Sequence, residues 1–440
     1  MKSDRQTPVA IIGGGFSGTM LAAQLARRGI ASVLIDGSGR AGLGTAYSTT
    51  EPAHLLNVCA EAMSAWPDTP HDFARFFEAE GGTARGFAER RLFGRYLRDI
   101  VGEAVAIGQV ELIDGNAVTA RRGDCGWTVA LEDGREIAVS ALALACGNQP
   151  PEPMRAFHAA GSRFVGNPWG ESAKAAVAAL AQDGGDALLI GTGLTMVDTV
   201  LSLDAAGHSG RIIAVSRRGL IPRGHTDFTP APVSADDVPH GDLLGLWRWL
   251  RRRGSEVCWR AAVDSVRPYS AALWQSLDEA QQRRFLCHAR PWWDVHRHRI
   301  APEVSARVRQ LVDGGQLEIV AGRIGAVRTV DGGLEVEIRR RGRPAPPALQ
   351  QFAYAFNCTW PLGAIERSRD PLLRGMLDAG VVRADGLGMG LSTDARDRAG
   401  DKVWALGPLT KGRYWEIVAV PDIRGQAAAV AADIQMELER

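Results

Sequence analysis

The chain has 440 residues, a length that predicts two or three domains rather than one. Hydrophobic residues make up 45% and charged residues 23%, with a formal net charge of +1. That composition is globular and carries no global field to draw it to nucleic acid or an anionic membrane. Six cysteines, at 59, 125, 146, 258, 287 and 358, form no C-x-x-C pair or metal-type cluster and read as reduced thiols of a cytoplasmic protein.

The short polar start, Met1 to Arg5, runs straight into a strand and predicts no signal peptide. An apolar strand at Val9 to Ile12, a glycine turn, an alanine-rich helix to about Arg28 and a strand at Ser32 to Ile35 predict a βαβ start. From about 109 to 146 short alternating strands follow. Asp133-Gly134 offers a tight hairpin turn between Trp127–Leu131 and Arg135–Val139. Gln149-Pro-Pro-Glu-Pro153 reads as a linker. A second βαβ start runs from Ala187–Ile190 to the strand Arg211–Val215, about 178 residues after the first. Its apolar stretch, Ala187 to Leu203, is interrupted by Thr192, Thr195, Asp198 and Thr199 and does not predict a membrane span.

Between about 241 and 312 the spacing is helical, with Leu243, Leu244, Trp247 and Leu250 expected on one face. Strands are expected at Leu317–Val320, Ile324–Val330, Leu334–Ile338, Phe352–Phe356 and Val403–Leu406. A loop is expected at 342–347 and a closing helix from about Gly425.

Gly13-Gly14-Gly15-Phe16-Ser17-Gly18 is a G-x-G-x-x-G run placed directly after a strand and opening a helix. Gly13 permits the tight turn, Gly15 lets a pyrophosphate approach the backbone, and Gly18 lets helix and strand pack closely. The helix N-terminus, beginning at Phe16 and Ser17, offers N–H groups to phosphate. Asp36, at the end of the next strand, is placed to accept from ribose hydroxyls. The second loop, Gly191-Thr-Gly193-Leu194-Thr195-Met196, has methionine at the third glycine position. Its following strand ends in Ser216-Arg217-Arg218, where an acidic residue would select NAD. A serine and two arginines instead suit a 2′-phosphate, so NADPH is expected over NADH.

Two such loops in one chain, the first near residue 1, lead to a resemblance. Gly42-Leu-Gly44-Thr-Ala-Tyr47, His54-Leu-Leu-Asn57-Val58, Arg91-Leu-Phe-Gly94-Arg-Tyr96-Leu97, Pro291-Trp-Trp-Asp294-Val-His296-Arg-His298-Arg299 and Trp415-Glu416 through Arg424 carry it. From about residue 8 to 435 the chain resembles a bacterial family of FAD/NAD(P)-binding proteins related to the N-hydroxylating flavin monooxygenases. The resemblance implies an α/β fold of two Rossmann-like dinucleotide-binding domains, the NAD(P)H domain inserted into the FAD domain, with a helical insertion at about 227–305. The implied boundaries are 1–160 and 346–440 for the FAD domain and 161–345 for the NAD(P)H domain.

It also implies FAD and NADPH as cofactors, with Gly44 and Tyr47 beside the flavin nucleotide and Gly147, after Ala145-Cys146, closing the first crossing between domains. Asn357-Cys358-Thr359 is the counterpart on the return. Gly407-Pro408 stands where Gly-Asp commonly meets the flavin ribityl chain, and proline cannot supply that carboxylate. Asn57 matches a position near the reactive edge of the flavin, where its amide can hold a reacting oxygen atom. A turn asparagine is the alternative reading.

Phe164-Val-Gly166 lacks the histidine of the F-x-G-x-x-x-H monooxygenase motif and reads as a hinge. Trp360, Trp404 and Trp415 are pocket candidates, His225 is a candidate NADPH contact, and Arg91, Arg95 and Lys411 are candidate carboxylate binders. His288, His296 and His298 with Asp294 make a poor metal site, and no metal is expected. The expected function is an NADPH-dependent monooxygenase hydroxylating the nitrogen of a small amine or amino acid, with molecular oxygen as co-substrate. An NAD(P)H-dependent reductase and a redox-sensing flavoprotein are the alternatives.

Overall fold

A computed structural model describes residues 7–123, 126–342, 348–359, 361 and 363–440. Cys125, Trp360, most of the 342–347 loop and the first six residues lie outside them.

The first sheet is built on β1 (Val9–Ile12) and β2 (Ser32–Ile35), both at the residues their apolar runs predict and both buried throughout. Such continuous apolar runs suit strands covered on both faces. With β3 (Val110–Ile113) they form a parallel edge, β1 also pairing in parallel with a strand from residues 141–144. Before that strand comes an antiparallel sheet of β4 (Ala117–Gly123), β5 (Gly126–Leu131) and β6 (Glu136–Val139). Gly134 takes a positive φ of 88° in the expected hairpin turn between the last two. The 141–144 strand is β7 (Ala141–Leu144).

The chain then leaves for a second sheet. It contains β8 (Phe164–Val165), β9 (Ala187–Ile190), β10 (Ile212–Ser216), β11 (Leu317–Val330), β12 (Gly333–Arg340), β13 (Ala348–Phe352) and β14 (Tyr354–Asn357), in the spatial order β13-β12-β11-β10-β9-β14-β8. The two strands expected between 317 and 330 are one long strand with an irregularity between Ile324 and Val327. The return to the first sheet comes after Asn357 rather than at 346, since β13 and β14 both pair within the second sheet. The Asn357-Cys358-Thr359 motif therefore marks the crossing. Phe164–Val165, expected as a hinge, is an edge strand on β14.

β15 (Arg398–Gly400) and β16 (Val403–Ala405) complete the first sheet, in the order β15-β16-β7-β1-β2-β3. The closing helix spans Val420–Leu438 and starts five residues before the expected Gly425. Pro421 lies in its first turn, where a missing N–H costs nothing.

Helices dominate 243–313, as the spacing predicts. The packed face of the Leu243–Val257 helix differs in detail. Leu244 is exposed, while Leu246, Trp249 and Leu250 pack into the core with Val238, Val266 and Leu273. Among the described residues no helix is long and apolar enough to cross a membrane.

Candidate dinucleotide sites

The two glycine loops have one geometry. Gly13 has φ +106° and Gly191 φ +111°, values that favour glycine. A Cβ on Gly13 would lie 2.5 Å from the Ala145 carbonyl oxygen, and one on Gly191 2.3 Å from that of Cys358. In both sheets the returning strand end packs against the bare first glycine. Helices Phe16–Ala26 and Leu194–Ala205 then begin at Gly15 and Gly193, both in extended backbone and neither capped by a side chain. Their first-turn N–H groups have no partner within the helix.

Space for a ligand distinguishes glycines within each loop. A Cβ on Gly18 would sit 2.0 Å from the Gly13 carbonyl oxygen, so Gly18 serves helix–strand contact. A Cβ on Gly15 would meet nothing nearer than Gly44 Cα at 3.7 Å, and one on Gly193 would meet nothing within 4 Å. Both middle glycines border open space at a helix N-terminus, which fits the approach of a pyrophosphate. Met196, at the third position of the second loop, is fully buried in the core of the second sheet.

At the first strand end, Asp36 Oδ2 accepts from Gly14 N at 2.6 Å and Oδ1 from Ser38 N at 2.8 Å and from the Ser38 hydroxyl. The carboxylate thus holds the glycine loop beside the place expected for a ribose. Gly44–Tyr47 forms a short helix over this loop. A Cβ on Gly94 would come within 2.6 Å of Leu43 and 2.7 Å of the Tyr47 carbonyl, so glycine there lets two helices meet. The Tyr47 ring lies 4.7 Å from that of Phe93, and burial pushes its phenol well up from the usual range.

The C-terminal segment completes the first site. Gly407 has φ +61°, and a Cβ on it would be 2.4 Å from Ser17 Oγ, which places Gly407-Pro408 against the first helix. Gly407 N donates to Gln426 Oε1 at 2.7 Å, and Gln426 Nε2 donates at 3.0 Å to both Asp397 Oδ1 and Thr410 Oγ1. Burial pushes the Asp397 carboxyl up to about 6, against the hydrogen bond from Gln426. Lys411 Nζ donates to Asn148 Oδ1 at 2.5 Å, just beyond Gly147, and burial, followed by the charge of Arg290, brings its ammonium down to about 7.

Trp404 is core rather than pocket, with its Nε1 donating to Asp433 at 2.9 Å. Trp415 stacks on Trp274 at 5.3 Å and meets Phe285 edge-on at 5.3 Å, so it docks the helical insertion on this segment. Glu416 fixes the same junction. Its carboxylate accepts from Trp293 Nε1 at 2.6 Å and pairs with Arg297 at 2.8 Å. Burial opposes its ionisation, but Arg297, His298 and Trp293 outweigh that and hold it below the usual carboxylate value. His298 lies 4.0 Å from both Asp294 and Glu416, and burial lowers its basicity. Arg91 and Arg95 form exposed ion pairs with Glu89 and Glu80.

At the second strand end, the Ser216 hydroxyl is 2.8 Å from Thr192 Oγ1 and accepts from Gly219 N at 3.0 Å. It shapes the turn that carries Arg217 and Arg218. The Arg218 guanidinium lies 5.6 Å from the Trp292 ring centre, while Arg217 is exposed.

Asn57 sits at the contact between the two folds. Its carbonyl accepts from His225 Nε2 at 3.0 Å, and burial lowers the basicity of that histidine. Nearby is a buried clamp whose arginine and aspartate lie in no sequence motif. Arg90 Nη1 and Nη2 donate to the two Asp198 carboxylate oxygens at 3.0 Å each, and Nε donates to the Leu55 carbonyl at 3.0 Å. His54 Nε2 donates to the Asp198 carbonyl at 2.9 Å, which leaves Nδ1 to accept from Thr49 Oγ1 at 2.8 Å. Asp198 lies in the helix that opens at Gly193, so the clamp ties the second loop to the first fold.

Two mainly parallel sheets, each opening on a glycine loop and a bare helix N-terminus, define an architecture with two dinucleotide folds in one chain. Known proteins place it further. Residues 10–149 match a family model described as FAD-NAD(P)-binding. A comparison with curated protein sequences finds no match. Among solved structures, the chain is similar to L-lysine 6-monooxygenase from Pseudomonas syringae (TM-score 0.68, 16% identity, covering 98% of this chain and 99% of that one). It is similar also to an FAD-bound cadaverine monooxygenase of desferrioxamine biosynthesis from Erwinia amylovora (0.67, 14%, 99% and 95%). A third is the reduced ornithine hydroxylase from Pseudomonas aeruginosa (0.66, 16%, 98% and 100%). At these identities the likeness is one of fold, and it extends over nearly the whole chain.

Proposed function

We propose that the protein is an FAD-dependent monooxygenase that uses NADPH and oxygen to hydroxylate a nitrogen of a small amine or amino acid. One observation carries the reading: two glycine loops of the same geometry open two sheets of one chain whose fold, end to end, is that of enzymes named for oxygenating lysine, ornithine and cadaverine. The balanced reaction consumes NADPH, a proton, oxygen and the amine, and yields NADP⁺, water and the hydroxylamine.

In this reading the first sheet and the C-terminal segment hold FAD through Gly13, Gly15, Phe16, Ser17, Gly18, Asp36, Gly44, Tyr47, Gly147, Gly407 and Pro408. The second sheet holds NADPH through Gly191, Gly193, Leu194, Thr195, Ser216, Arg217 and Arg218. The chemistry supplied by the bound flavin is acceptance of hydride and activation of oxygen, and the protein supplies position and a dry site. Asn57 is the proposed catalytic residue, its amide donating to the reacting oxygen. His225 is a positioning residue that fixes the Asn57 main chain. The reaction is placed in the cytoplasm, where its thiols stay reduced.

A reductase relaying electrons through thiols has less support. Burial pushes the Cys358 thiol up to about 12 and the Cys146 thiol well above the ordinary range, which makes both poor nucleophiles. The test is NADPH oxidation by the purified protein with and without lysine, ornithine and diamines, with oxygen uptake, peroxide and hydroxylamine product all measured. An amine that yields a hydroxylated product and lowers peroxide supports the reading. NADPH oxidation that reduces an added acceptor and yields no hydroxylated amine overturns it in favour of the reductase.

A further inference from the structure

The second strand end opens into a cleft of about 480 Å³ whose walls are more cationic than the sequence motif alone implies. Arg217 and Arg218 come from the strand end, Arg323 from β11, Arg339 and Arg340 from the end of β12, and Arg341 from the turn just after it. The sheet register explains the convergence. Ser216 on β10 pairs with Ala321 on β11, so β11 runs on past the end of β10 through Gly322 and Arg323. There it pairs with β12, setting Arg323 directly opposite Arg339. The turn after Ser216 lies on the same spot, since a Cβ on Gly219 would be 3.0 Å from Ala321 N.

Like charges directly opposed across two strands repel. Glu337 partners Arg339 at 2.7 Å and Glu318 partners Arg340 at 2.6 Å, while Arg218 lies over Trp292. Among the described residues, no carboxylate pairs with Arg217, Arg323 or Arg341. Three guanidinium groups therefore face one cleft with their charge uncompensated, in the place where the adenosine ribose of a nucleotide on the second loop would end. Guanidinium forks suit phosphate in particular.

We propose that Arg323 and Arg341, acting with Arg217, form a phosphate clamp that selects a 2′-phosphorylated adenine nucleotide, so that the β11–β12 extension sets the preference for NADPH. The inference rests on NADPH being the nucleotide of the second loop. The strand-end serine shapes the turn, and the meander supplies most of the unspent charge.

The experiment measures binding of 2′,5′-ADP, 5′-AMP, NADP⁺ and NAD⁺ to the flavin-loaded protein by calorimetry. Wild type should bind 2′,5′-ADP on the order of a hundredfold more tightly than 5′-AMP, a gap that charge-assisted bonds to one phosphate supply. Arg323→Gln and Arg341→Gln should each cut that ratio about tenfold while leaving 5′-AMP affinity and flavin content unchanged, which also shows that the variants fold. Arg323→Lys should fall between, having charge without the fork. A wild-type preference that survives both glutamine variants overturns the clamp and leaves the NADPH reading standing. No preference in wild type overturns both.

Discussion

The two glycine loops of this chain share a backbone and differ in everything attached to it. Each turns on a glycine of φ near +110°, each packs that glycine against a returning carbonyl, and each bares a helix N-terminus. In the first, Gly18 meets the Gly13 carbonyl and an aspartate closes the strand end. In the second, Met196 fills a core position and Ser216 stands before two arginines. The shared part is what any pyrophosphate requires. The differing part is what tells one nucleotide from another.

The loops are also joined unequally to the rest. The first leans on the C-terminal segment through Gly407, Gln426 and Asp397, and the second is held to the first fold by Arg90 and Asp198. Breaking that clamp should have the largest effect. Arg90→Ala leaves the Asp198 carboxylate buried without its partner, and it should cost about 3–5 kcal/mol in urea unfolding. Replacing both residues by apolar groups of similar volume should recover most of the loss. A single-variant loss below about 1 kcal/mol would show that the clamp is not what joins the folds.

Met196→Ala comes next. With a fully buried side chain removed from the second core, thermal or denaturant unfolding should show a loss of about 2–4 kcal/mol. The expected cost reflects a loop that gave up its third glycine for packing.

Asp397 gives a smaller effect of opposite sign. Burial raises its folded value to about 6 from 3.8, so the native state binds more protons between those values. Stability from this group is therefore highest below pH 4, falls as pH rises through the window, and is fully lost above 6, a difference of about 3 kcal/mol at most. Asp397→Asn keeps an acceptor for Gln426 and tolerates the φ of +59°. It should raise stability at pH 7 by about 1–3 kcal/mol and match wild type near pH 3.5. Equal stability at both pH values would show that the carboxyl is not held protonated by burial.

The fold was largely legible in the sequence because its parallel strands are buried on both faces. β1, β2 and β9 fall on the residues their apolar runs mark, and Gly134 turns where Asp133-Gly134 predicts. The boundary between folds was less so, since β13 and β14 return to the second sheet by long-range pairing that no local pattern records. Arg90 and Asp198 are 108 residues apart, and their bidentate geometry exists only once both folds are in place. The arginine cleft has the same origin. Arg323 and Arg339 carry no motif, and it is strand register that sets them opposite one another beside Arg217. Trp404 differs from the pocket expectation for a related reason: a tryptophan at a strand centre is as suited to a core as to a pocket, and Asp433 supplies its hydrogen-bond partner.

The central claim is that the two loops hold two different cofactors, FAD on the first and NADPH on the second. The direct test is anaerobic NADPH addition to purified wild type, Gly15→Val and Gly193→Val, followed by flavin absorbance. A Cβ on Gly193 meets nothing within 4 Å and one on Gly15 makes only ordinary contact with Gly44 Cα at 3.7 Å, so both variants should fold. Wild type should be yellow and bleach with NADPH, Gly15→Val should fold without retaining FAD, and Gly193→Val should stay yellow but bleach at least tenfold more slowly at limiting NADPH. A folded, colourless wild type that cannot be loaded with FAD, or a Gly193→Val protein that bleaches at the wild-type rate, would contradict the claim.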